Sequence, residues 1–92
     1  MDTQHIARLR EEIDMIDGQL IALINERAKH AVEIGKAKGS APIYDPKREL
    51  QILRRVASMN SGPLSKGAIE EIYASIIGAC REIQAQHDTA TK

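Results

Sequence analysis

Residues 6–38 read IARLREEIDMIDGQLIALINERAKHAVEIGKAK, and this stretch decides the fold. It holds no proline, and its only glycines are Gly18 and Gly35. Ile6, Leu9, Ile13, Ile16, Leu20 and Leu23 recur at alternating spacings of three and four, the heptad pattern of a helix with one apolar seam. Extending that register puts Arg27, His30, Ile34 and Ala37 on the seam. The apolar character resumes after the polar interruption, so one helix over residues 4–38 is expected, ended by Gly39, Ser40, Ala41 and Pro42.

The remainder reads as two shorter helices. Asp45 is a good N-cap, and Pro46 suits the first helical position, where a missing N–H costs nothing. A helix over 46–59 follows, with Leu50, Leu53, Val56 and Ala57 on its apolar face, and Asn60-Ser61-Gly62-Pro63 stops it. Ser65 can cap a third helix over 66–86, striped by Ile69, Ile72, Tyr73, Ile76, Cys80 and Ile83. Residues 87–92 are polar and are expected to form a flexible tail. No strand pattern, repeat or low-complexity segment is visible. The expectation is a single all-α domain spanning 1–92, one long helix followed by two shorter ones.

Composition narrows the function. With 92 residues there is room for one domain. Two tyrosines and no Phe or Trp leave the core to aliphatic side chains, as helix packing permits. Thirteen Lys and Arg balance thirteen Asp and Glu, so the chain as a whole is not drawn to nucleic acid or to an anionic membrane. Cys80 is the single cysteine, which excludes an internal disulfide, and no Cys/His spacing suggests zinc. Neither a signal-peptide core nor an apolar run of ~20 residues is present, and a soluble, cytoplasmic protein is expected.

Helix length then predicts a partner. About 34 residues at ~1.5 Å each make a rod of ~50 Å. A compact chain of this size has a radius of gyration of only ~12 Å. The rod must protrude, and its apolar seam with it. A second copy laid antiparallel about a two-fold axis would cover the seam. A parallel coiled coil fits less well, given the two glycines and a cation on the seam.

That cation is Arg27, at a position where the heptad calls for Leu or Ile. Burying an unpaired guanidinium is costly, so Arg27 is either a snorkelling or register-fixing residue or the lining of a cavity that receives an anion. Lys38 follows three turns later on nearly the same face, where it could equally serve as a partner to the helix dipole. Arg10 lies ~25 Å from Arg27 along the axis and cannot share a small site with it in one chain. In an antiparallel pair centred near residue 21, Arg10 of one copy falls opposite about residue 32 of the other, between Arg27 and Lys38. Arg48 and Glu49 sit in the first turn of the second helix, whose free N–H groups favour anions, although an ordinary solvated turn reads the same. Gln84 extends the stripe of the third helix by one turn beyond Cys80. Together these residues describe a cation-lined pocket within a helical dimer, with one carboxylate and one amide.

Three segments carry a more specific message: LREEIDMID from Leu9 to Asp17, ERAKHAVEIGKAK from Glu26 to Lys38, and YDPKRE from Tyr44 to Glu49. They closely resemble the all-α chorismate mutases, over about residues 5 to 86, and most resemble the mutase domain of bifunctional prephenate dehydratases. The resemblance implies an intertwined homodimer with two equivalent sites and conversion of chorismate to prephenate. Carried over by position, it implies that Arg27 and the partner's Arg10 hold the two substrate carboxylates. Lys38 and Gln84 would hydrogen-bond the ether oxygen, and Glu49 would accept from the ring hydroxyl, with Arg48 and Asp45 shaping that end. Cys80 stands where related enzymes often carry serine near a carboxylate, and a thiol is the weaker donor. The implied reaction is concerted and calls for no metal, cofactor or nucleophile.

Two other readings share these features. An isochorismate pyruvate lyase has the same fold and a similar pocket, though Lys38, Arg48, Glu49 and Gln84 as a set favour the mutase. A non-catalytic helical dimerisation module would use Arg27 only to fix register. Replacing Arg27 with Leu separates the last case: thermal melting should then hold or rise with function intact, whereas in a mutase chorismate turnover should disappear.

Overall fold

The computed structural model describes residues 2–90. The described residues form three helices: α1, Thr3–Lys38; α2, Pro46–Met59; and α3, Lys66–Ala90. Among the described residues there is no strand. Each start is capped by a side chain. Asp2 accepts from the His5 N–H at 3.1 Å, Asp45 from the Arg48 N–H at 3.1 Å, and the Ser65 hydroxyl from the Ala68 N–H at 3.0 Å. The Asp2 cap lets α1 begin one residue earlier than expected. At its other end Gly39 has φ +61°, which glycine adopts without strain. Asn60 ties the turn before α3, donating to the Leu64 carbonyl at 2.7 Å and accepting from the Gly62 N–H at 3.3 Å.

The third helix is expected over 66–86, with 87–92 as a tail. α3 continues to Ala90, because nothing after Gln86 breaks a helix and each added residue gains a backbone hydrogen bond. Thr91 and Lys92 lie outside the described residues.

α3 is the central element. It packs against α1 and against α2, while among the described residues α1 and α2 do not pack on each other. Arg27 meets Cys80 and Ala31 meets Gln84, a constant offset, so α1 and α3 run parallel. α2 runs antiparallel to α3, with Glu49 against Arg81 at one end and Ile52 and Val56 packed on Ile77, Tyr73 and Ile69 toward the other.

Serving two neighbours changes which faces are buried. On α2, Ile52 and Val56 are buried and Leu53 packs beside them, whereas the expected Leu50 is 48% exposed. On α3, Ile77 joins Cys80 in the interior, and the expected Ile72 faces outward. Residues 69, 73 and 77 serve α2, and 80 and 84 serve α1, so no single stripe describes the helix. On α1 the extended heptad register does not mark the buried residues of the last third. Val32 is buried and Ala28, Ala31 and Gly35 are half-buried, whereas Ile34 is exposed.

Before that point α1 has no cover. Ile6, Leu9, Ile13, Ile16, Leu20 and Leu23 are all exposed within the single chain. The 36 residues of α1 make a rod of about 54 Å, and the chain measures 59 × 27 × 14 Å with a radius of gyration of 17.0 Å. No helix of the described residues is long and apolar enough to cross a membrane.

Ile77 joins α3 to α2, so Ile77→Ala should cost about 2–5 kcal/mol of unfolding free energy by urea titration. A loss below about 1 kcal/mol would show that this contact does not hold the two helices together.

Candidate active site

The two faces of α3 frame an open cavity of about 440 Å³ between α1 and α2. α1 contributes Arg27 and Lys38, spaced so that both return to one side of the helix. The connection and the first turn of α2 contribute Asp45, Arg48 and Glu49. α3 contributes Cys80 and Gln84. Seven of the eight residues singled out from the sequence therefore line one cavity. The eighth, Arg10, is exposed on the uncovered half of α1, far from the cavity of its own chain.

Several of the polar side chains are held in place. Arg27 Nη1 donates to Cys80 Sγ at 3.2 Å in a half-buried setting, so the thiol acts as an acceptor that orients the guanidinium. An arginine has five N–H donors, and this contact leaves the others for a ligand. Gln84 Nε2 donates to the Ala31 carbonyl at 2.6 Å, which locks the amide against α1. Its second N–H remains for the cavity. Lys38 forms no ion pair among the described residues, and it sits half-buried at the end of α1. Asp45 spends one carboxylate oxygen on capping α2, which fixes the backbone on which Arg48 and Glu49 stand.

Glu49 departs from the simplest reading. Its Oε2 accepts from Arg81 Nη1 at 2.6 Å, a short charge-assisted contact between α2 and α3. The Arg81 guanidinium also lies over the Tyr44 ring, 4.7 Å from its centroid. Arg81 was not among the candidates from sequence, and neither was Arg55, which lines the same cavity. Both were accessible to a same-face argument. Arg81 precedes Gln84 by three residues on α3, and Arg55 follows Arg48 by two turns on α2.

The electrostatic result is plain. Five cations, Arg27, Lys38, Arg48, Arg55 and Arg81, face two carboxylates, Asp45 and Glu49. A chain with no net charge thus concentrates a formal excess of three positive charges in one hollow. Ile34, Ile43, Ile52 and Ile77 supply an apolar wall. Such a cavity suits a small molecule with two carboxylates and an apolar body. Among the described residues no three His, Cys, Asp or Glu side chains gather as a metal site would require.

Known proteins share this sequence and shape. The family model described as chorismate mutase type II matches residues 9–85. The bifunctional chorismate mutase/prephenate dehydratase of Aquifex aeolicus is 38% identical over 87 residues, covering 88% of this chain and 24% of its own length. That of Neisseria gonorrhoeae is 37% identical over 75 residues, covering 82% of this chain and 21% of its own. The chain therefore spans about a quarter of the length of these bifunctional relatives. Among solved structures, chorismate mutase from Helicobacter pylori in complex with prephenate is 31% identical with a TM-score of 0.86, covering 91% of this chain and 93% of that one. Form II of the Thermus thermophilus chorismate mutase gives 30% identity and a TM-score of 0.86, covering 88% of this chain and 94% of that one. Three helices with one cationic cavity, matched along most of the chain by this family model and by solved members, place the protein in the type II chorismate mutase family.

Proposed function

We propose that the chain rearranges chorismate to prephenate, in phenylalanine and tyrosine biosynthesis in the cytoplasm, at a site completed by a second copy of itself. The observation that carries this reading is the convergence of Arg27, Lys38, Arg48, Glu49 and Gln84 from all three helices on one cavity. The solved Helicobacter pylori relative, which covers nearly the whole chain, is a complex with prephenate, and this supports a dicarboxylate of that kind here.

In this reading Arg27 and the partner subunit's Arg10 each hold one carboxylate. The clamp folds the enolpyruvyl arm over the ring and removes the freedom of a floppy substrate, which can be worth several kcal/mol. One ether C–O bond then breaks as a C–C bond forms between the arm and the ring, so no atom enters or leaves. Negative charge builds on the ether oxygen, where Lys38 and Gln84 donate. Losing one preorganised donor of this kind typically costs ~3 kcal/mol. Glu49 accepts from the ring hydroxyl, Arg48 and Asp45 shape that end, and Cys80 steadies Arg27.

The partner follows from α1. An antiparallel, intertwined homodimer would cover the seam from Ile6 to Leu23 and carry Arg10 across to the other copy's cavity. The rod and its exposed seam support this arrangement, and so does the absence of Arg10 from the cavity within one chain.

Incubation of the chain with chorismate at neutral pH should yield prephenate. Salicylate and pyruvate from isochorismate, with chorismate untouched, would instead assign a lyase. For the shared site, Arg10→Ala and Arg27→Ala chains should each be nearly inactive. An equal mixture should recover about a quarter of wild-type activity, because half the dimers are mixed and each has one intact site. No recovery after confirmed subunit exchange would rule out donation of Arg10.

A further inference from the structure

Glu49 stands in a cavity with five cations, and the one it pairs with decides which are left for a ligand. An acid free to swing toward Arg27, Lys38 or Arg48 would neutralise a group needed for a substrate carboxylate. The structure directs it elsewhere. Arg81 takes Oε2 at 2.6 Å, and the ion pair is partly shielded, with the two side chains 39% and 24% exposed. Arg81 is steadied in turn by the Tyr44 ring, 4.7 Å away, in the segment just before the Asp45 cap. The pair thus ties α3 to the start of α2 and, among the described residues, leaves Oε1 of Glu49 uncommitted.

We infer that Arg81 is a positioning residue for substrate specificity: it holds the Glu49 carboxylate away from the substrate-binding cations and presents Oε1 to a hydroxyl on the bound ring. This rests on the mutase reading above and adds to it a group that does not itself touch the reacting atoms. The hydroxyl contact is present in both ground and transition states, so its loss acts on binding more than on the chemical step.

Steady-state kinetics with chorismate tests this. Arg81→Met keeps an apolar stem without the charge, and it should raise KM about tenfold while kcat changes less than about threefold. Arg81→Lys keeps the charge without the planar fork and should recover part of that loss. In a Glu49→Gln background there is no acid to steer, so Arg81→Met should add no further rise in KM. Where the Met variant does not melt cooperatively, the Lys variant carries the test in both backgrounds, with a KM rise of about threefold that Glu49→Gln abolishes. An unchanged KM, or the same factor in both backgrounds, would overturn the assignment. Absence of turnover by the unmutated chain would overturn the mutase reading itself, an outcome distinct from either.

Discussion

The constraint on which the rest depends is that α1 is longer than its own chain can cover. A 36-residue helix in a 92-residue chain meets α3 only along its last third, and the preceding six seam positions face solvent. Hydrophobic burial scales with apolar area removed from water, so this seam is the largest unclaimed source of stability in the molecule. The few buried side chains, Val32, Ile52, Val56, Ile77 and Cys80, make a small interior by themselves. A surface partner would therefore contribute to folding as well as to the site.

α3 turns that arrangement into chemistry. Three of its residues within two turns reach both walls: Cys80 to Arg27 on α1, Arg81 to Glu49 on α2, and Gln84 to the Ala31 carbonyl on α1. Each contact fixes a polar group facing the cavity. Preorganisation of this kind is what a concerted rearrangement requires, because catalysis there comes from holding shape and placing donors where charge develops. The hollow remains strongly cationic because, among the described residues, most of its positive side chains are left without acidic partners.

The helices and their caps were legible because local rules set them. Asp45 followed by Pro46, Ser65, and Gly39 each carry a boundary in their own chemistry. Burial was less legible, since it depends on where neighbours lie. Leu50 and Ile72 fit the helical period and still face solvent, and Ile52 and Ile77 take the interior places. Seven of the cavity residues could be collected from spacing and from the family resemblance. Arg81 escaped because a charged residue beside Cys80 reads as solvated surface until α2 is placed against it. Beyond Leu23 the seam positions Arg27, His30 and Ile34 line the cavity, while the buried side of α1 shifts to Val32 with Ala28, Ala31 and Gly35 beside it.

The central claim is that a second copy both covers α1 and completes the site. Measuring sedimentation and initial rate together across a dilution series tests it directly. The predicted result is a particle of two 10.2 kDa chains wherever chorismate is consumed, with the rate per chain falling in step with dissociation. A single 10.2 kDa chain that retains the full rate per chain would contradict the account.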